Sequence, residues 1–178
     1  MNKAELRQLI SERQRLFTAD QQKAADRLIQ AQALTLIKPY QAVGIYQSLP
    51  HEAATGQIMQ ELLARGCRLS SGKCLPDNQL EFRLITDPRE LISGTRQILE
   101  PTGAVQAKQT IEAILIPLVA FDAQHHRLGH GQGYYDRFLA DYPGLKIGLA
   151  YAYQEVDRIA VTAQDIPLDL IITERGIN

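Results

Sequence analysis

The chain has 178 residues, 45% of them apolar and 22% charged, with a formal net charge of −1. That composition suits a single domain over 1–178 and leaves no global field to recruit nucleic acid or an anionic membrane. No apolar run approaches the roughly 20 residues of a membrane span, and no signal peptide is expected before the first helix.

Residues 3 to 16 predict a helix with Leu6, Leu9, Ile10 and Leu16 as its apolar stripe, and Lys3 and Arg7 on one face. Thr18 and Gln21 form a capping box that opens a second helix to about Ile37, with Ala24, Leu28, Ala31 and Leu34 expected inside. Lys38-Pro39 stops it, and Ala42 to Tyr46 reads as a short buried strand. The loop 47–52 then leaves the carboxyl end of that strand, where open α/β sheets keep their ligands, and a helix follows from Thr55 to Arg65.

Cys67 to Ser70 predicts a strand, and Leu80 to Ile85 alternates as an exposed-edge strand does. Cys67 and Cys74 lack zinc spacing and read as free thiols of a reducing cytoplasm. Asp87-Pro88-Arg89-Glu90 is a helix start, and residues 102 to 110 read as a surface loop with nothing apolar to bury beyond Val105. Ala113 to Phe121 is the most apolar run and predicts a buried parallel strand. Tyr134, Tyr135, Phe138 and Leu139 recur at helical spacing up to Tyr142-Pro143-Gly144. Leu145 to Tyr151 is a further buried strand, residues 156 to 161 fit either type, and residues 164 to 173 end in a last strand. Strands alternating with helices imply a three-layer α/β sandwich around a mostly parallel, Rossmann-like sheet, though not its strand order.

Between the most apolar strand and its helix lies Arg127-Leu128-Gly129-His130-Gly131-Gln132-Gly133-Tyr134-Tyr135-Asp136. Alternate glycines at a helix start let backbone amides approach an anion, and Arg127 and His130 add side-chain donors at the same mouth. The spacing fits a phosphate site or an ordinary glycine-rich turn, and matches neither the dinucleotide fingerprint nor the Walker A loop.

This stretch, with Pro117 and Ala120-Phe121-Asp122, resembles the signature of the 5-formyltetrahydrofolate cyclo-ligase family. The resemblance implies an enzyme that uses ATP and Mg2+ to close 5-formyltetrahydrofolate, or its polyglutamylated form, to 5,10-methenyltetrahydrofolate. It implies attack of the formyl oxygen on the γ-phosphate, closure by N10, and loss of phosphate. Lys3-Ala4-Glu5-Leu6-Arg7 matches the family's amino-terminal motif, which places Lys3 and Arg7 on ATP with Arg127, Leu128, Gly129, His130, Gly131, Gln132, Gly133, Tyr134 and Tyr135. Where relatives often carry a basic residue or another glycine, Gln132 keeps a donor without a charge.

By the same resemblance Glu52 holds the folate, beside Gln47 and Tyr134, and Asp136 and Asp165 bind the metal. Arg127 and His130 are the candidates for steadying charge on the transferring phosphoryl group. Tyr134 and Tyr135 offer a stacking face and a hydroxyl, and one of the two rings is expected in the core. The expected protein is a cytoplasmic monomer. Two other readings share these residues: a non-catalytic nucleotide- or folate-binding relative, and a phosphosugar isomerase or CoA transferase-like enzyme on a similar sheet.

Overall fold

In the computed structural model, which describes residues 1–94 and 98–178, two helices come first: α1 (Lys3–Leu16) and α2 (Ala19–Leu36). Both start on capping boxes, Asn2 with Glu5 and Thr18 with Gln21, so their first amides are satisfied locally. The apolar stripe of α1 is shorter than expected. Leu6 and Ile10 pack on Ala120, Leu128, Val156 and Ile159, but Leu16 lies beyond that small cluster and is 81% exposed. On α2 the buried residues are Ala25, Ile29, Gln30 and Ala33; of the expected Ala24, Leu28, Ala31 and Leu34, Leu34 packs partly buried against the core and the other three are exposed. Both sets have helical spacing; docking the bulky Ile29 and Ile37 onto the sheet decides the rotation.

The remaining elements follow in order. They are β1 (Ala42–Ile45), α3 (Gly56–Ala64), β2 (Arg68–Leu75), β3 (Gln79–Leu84), β4 (Ile92–Ser93), β5 (Leu99–Glu100), β6 (Ala113–Pro117), β7 (Ala120–Phe121), β8 (Arg127–Leu128), α4 (Tyr134–Leu139), β9 (Leu145–Leu149), β10 (Leu170–Thr173) and β11 (Gly176–Ile177). Seven strands form one sheet in the order β11-β10-β9-β6-β1-β2-β3. Strands β2, β1, β6, β9 and β10 run parallel, while β3 and β11 fold back antiparallel at the two edges.

Along β6 the side chains divide by period two. Ala113 and Leu115 enter the core beneath α2 and α3, and Ile114 and Ile116 join Phe82, Phe121, Phe138 and Leu139 on the face that carries α4. Helices therefore flank both faces of a mostly parallel sheet, as expected. In chain order the parallel strands run 2-1-3-4-5, so the crossovers change side between β1 and β6. A crevice opens there, outside the carboxyl ends of the strands.

Four segments depart from expectation. The 113–121 strand breaks after Pro117, because Ala120–Phe121 pairs instead with Arg127–Leu128 in a hairpin turned by Asp122 and by His125, whose φ is 61°. Arg127 and Leu128 thus lie on a strand rather than in the glycine loop. Helix α4 stops at Leu139, three residues early, where Tyr142 turns inward and its hydroxyl donates to Ile111 O (3.1 Å). The strand after Cys67 runs on to Leu75 and hairpins into β3 through Asp77 and Asn78, both with left-handed φ. Asp87 caps only a 3-10 turn, with its carboxylate accepting from Arg89 N. Residues 156 to 161 carry no helix or strand, and Val105 is exposed rather than buried. Cys67 is a buried free thiol.

Candidate active site

A cleft of about 840 Å³ fills the crevice at the β1–β6 switch point. Each of its walls follows from an element's end. The segment after β1 supplies Tyr46, Gln47, Leu49 and Glu52; the hairpin and glycine loop after β6 supply Arg127 through Arg137; α1 supplies Lys3 and Arg7; the loop before β10 supplies Thr162 to Ile166. Lys3, Arg7, Gln47, Glu52, Asp136, Asp165 and all of 127–135 line this one cleft.

The local geometry is built from few anchors. Arg7 Nε donates to Gly129 O (3.0 Å), so the guanidinium lies over the loop and passes within 3.2 Å of where a Cβ on Gly131 would sit. Gly131 (φ 96°) and Gly133 (φ 70°) hold left-handed backbone that other residues resist; Gly129 does not, and its need is space for the Arg127 guanidinium. With six residues, α4 brings a weaker dipole than a longer helix would, so positive potential comes chiefly from side chains. Among them is Arg137, whose Nη1 donates to Gln132 O (2.9 Å). It was not singled out from the sequence, although it lies one turn beyond Gly133.

Arg127 is buried (7% exposed) at the back of the cleft, with Nη2 donating to Asp136 Oδ1 (2.9 Å) and the guanidinium over the Tyr135 ring at 5.4 Å. Its buried Nε–H has no hydrogen-bond partner among the described residues. Burial pulls its pKa down and the carboxylates of Asp136 and Asp165 push it back up, so both acids are electrostatically joined through this one cation. Asp165 accepts from Lys3 Nζ (2.6 Å) and from Thr162 N (2.6 Å). Burial raises the Asp165 pKa, but these donors more than offset it and hold the carboxyl below its ordinary value.

Glu52 is 7% exposed, with Oε2 accepting from Leu49 N (2.9 Å) and Oε1 3.2 Å from His130 Nε2 of the glycine loop. Its loop is clamped through its backbone. The single Tyr151 hydroxyl proton lies within reach of both Asp26 Oδ1 (2.8 Å) and Glu52 O (3.0 Å), Tyr46 donates to Ala53 O (2.6 Å), and Asp26 also accepts from Ala54 N. Burial, and then the Glu52 carboxylate, push the Tyr46 and Tyr135 phenols well up, so both stay neutral donors. Tyr135 packs against the core while Tyr134 lines the cleft without joining it. Tyr151 and Asp26 were not legible as site residues, since their roles depend on contacts between distant segments, and Tyr46 was read only as the end of a buried strand.

The sequence profile described as "5-formyltetrahydrofolate cyclo-ligase family" matches residues 1–174. The chain belongs to that family. With it the chain is a ligase-type enzyme, which sets aside the isomerase and transferase alternatives. The cyclo-ligase of Mycoplasma pneumoniae is 28% identical over 98% of this chain and 99% of its own, and that of Haemophilus influenzae 30% over 88% and 89%. Among solved structures, the 5,10-methenyltetrahydrofolate synthetase of Aquifex aeolicus is similar with a TM-score of 0.88 at 29% identity, covering 100% of this chain and 92% of that one. The M. pneumoniae synthetase is similar with a TM-score of 0.81 at 26% identity, covering 98% and 99%. Among the described residues of this family member, no helix is long and apolar enough to cross a membrane.

Proposed function

We propose that the chain catalyses ATP- and Mg2+-dependent cyclisation of 5-formyltetrahydrofolate to 5,10-methenyltetrahydrofolate, with release of ADP and phosphate. The observation that carries this reading is the gathering of Lys3, Arg7 and Arg127 with Asp136 and Asp165 at one end of the cleft, and of Gln47, Glu52 and Tyr134 in the same cleft. A cavity of about 840 Å³ lies within the range of small-molecule sites, and two reactants side by side need the upper part of it.

The residues fit a polyphosphate. Lys3 offers a compact charge, Arg7 and Arg127 offer planar forks, and the orphan Nε–H of Arg127 is a buried donor awaiting an acceptor. The amides around Gly131 and Gly133 stand at the same tip. Asp136 and Asp165 are the carboxylates for Mg2+, a hard cation that takes one or two carboxylates and keeps waters. Each is paired with a cation, Arg127 or Lys3, so acids that took a metal would leave those cations free for phosphate oxygens. A bound ion would supply neutralisation of phosphate charge.

Glu52 is fixed by Leu49 N and faces the cleft, suited to accept paired N–H bonds from a pterin-like ring, with Gln47 and Tyr134 beside it. Arg127 and His130 steady the transferring phosphoryl group, and the protein's contribution is position and charge rather than covalent chemistry. The reading includes a cytoplasmic monomer that accepts the folate with or without a polyglutamate tail and binds neither nucleic acid nor membrane, in keeping with a net charge of −1.

The test is direct. Purified protein with 5-formyltetrahydrofolate, Mg2+ and ATP is expected to produce methenyltetrahydrofolate absorbance, and none when ATP or Mg2+ is withheld. Ligand binding without turnover would overturn the proposal.

A further inference from the structure

A smaller recess of about 180 Å³ is lined in part by His51, Glu52 and His130, the last two of which also line the cleft. One donor atom from each, two imidazole nitrogens and a carboxylate oxygen, lie within 4.8 Å of one another. The two rings stand edge to face, 6.0 Å between centroids. We propose that His51, Glu52 and His130 form a site for a divalent transition metal of the zinc class, distinct from the Mg2+ carboxylates.

Two imidazoles and one carboxylate are a donor set that Zn2+, Co2+ and Ni2+ accept and that Mg2+ avoids. Metal–ligand bonds of about 2.0–2.1 Å put tetrahedral donors roughly 3.4 Å apart, so the three atoms need to close by about 1.4 Å at most. The closing falls to the rings, since His130 is 44% exposed at its side chain and His51 is only partly buried. Glu52 is the rigid member. Its Oε2 is occupied by Leu49 N, which leaves Oε1 directed at His130, and Tyr151 and Tyr46 hold the backbone on either side. Fixing one ligand through its own hydrogen bonds is how metal sites are pre-organised.

Arg7 lines the same recess, but its guanidinium is drawn to Gly129 O and Lys3 O, which leaves the Glu52 charge to the incoming cation. With three protein donors the metal keeps an open position for water or a ligand atom. An occupied site withdraws Glu52 and His130 from the roles assigned to them above, so zinc acts as an inhibitor that competes with the folate. This consequence, unlike the site itself, rests on that reading.

Cobalt reports the site without any assay of turnover. Titrating CoCl2 into the metal-free protein is expected to raise visible d–d bands of a low-coordinate Co2+, which ZnCl2 abolishes and MgCl2 does not. His51→Ala, in a surface loop, should weaken Co2+ binding by about tenfold or more, while Mg2+-ATP turnover and the circular dichroism spectrum stay as in the wild type. Absence of the bands, or equal Co2+ affinity in wild type and His51→Ala, overturns the site and leaves the cyclo-ligase reading untouched. In assays of turnover, ZnCl2 should raise the KM for 5-formyltetrahydrofolate in the wild type and not in His51→Ala. Cobalt bands that depend on His51 together with an unmoved KM would keep the metal site and overturn the assignment of Glu52 to the folate.

Discussion

Lys3 and Asp165 lie 162 positions apart in the chain and meet across the mouth of the cleft, Nζ to Oδ1 at 2.6 Å. The pair joins the start of α1 to the loop before β10. On the proposed reading one partner would hold ATP and the other Mg2+, which would make the pair a latch that both ligands open.

The first prediction separates latch from tie. Both side chains are partly exposed, 30% and 19%, so Lys3→Ala should lower stability by no more than about 1 kcal/mol. It frees Asp165, so the apparent Mg2+ requirement should fall or hold while the ATP KM rises. Asp165→Asn should instead raise the Mg2+ requirement. Mg2+ titrations at fixed ATP check this; parallel shifts in the two variants would reduce the pair to a structural tie.

Arg7 carries the second prediction. Its guanidinium rests on the glycine loop through Gly129 O and reaches into the cleft. Arg7→Ala should raise the ATP KM about tenfold, on the order of 1.4 kcal/mol for one charge-assisted contact, and leave the folate KM unchanged. Steady-state kinetics varying each substrate in turn decide it. An unmoved ATP KM would make the Arg7–Gly129 contact a lid on the loop rather than part of the nucleotide site.

What the sequence made legible was whatever depended on local pattern. The capping box at Thr18, the buried run at β6 and the glycine loop all follow from residues a few positions apart. What it hid was rotation and return. The buried face of α2 is set by the sheet under Ile29, the β2–β3 hairpin by partners at Ser70 and Leu84, and the break after Pro117 by the β7–β8 pairing. The site divides likewise. The Arg127–Asp136 contact spans nine positions and was within reach of motif spacing, whereas the clamp of Tyr151 on Glu52 spans 99 and was not.

Arg127 and Asp136 support the third prediction. Removing the Asp136 carboxylate leaves a buried guanidinium with an orphan Nε and one partner fewer. Asp136→Ala should therefore abolish turnover, weaken Mg2+-ATP binding and destabilise the fold by about 1–3 kcal/mol. Denaturant melts and nucleotide binding with and without Mg2+ measure the two effects separately. Unchanged Mg2+ dependence of binding would remove Asp136 from the metal and leave it as the partner of Arg127.

Acid stability should centre on Asp122, which the catalytic reading does not use. Its buried carboxylate accepts from Gln124 N (3.0 Å) and His126 N (3.1 Å) on Oδ1, and from Ile159 N (2.9 Å) on Oδ2. Burial raises its pKa, but these donors together with the His126 ring more than offset it and hold it below the ordinary value near 3.9. A carboxyl depressed in the folded state contributes stability that is complete above the unfolded pKa and is lost as pH falls through the folded one. The wild-type Tm should thus decline below about pH 5. Asp122→Asn turns an amide N–H toward one set of donors, which should cost about 2 kcal/mol at pH 7 and flatten that acid limb. Because Ile159 packs under Leu6 and Ile10, loosening here also frees α1 and with it Lys3 and Arg7. Calorimetric melts of both proteins from pH 7 to pH 3 provide the check, and parallel curves would show that another group governs acid unfolding.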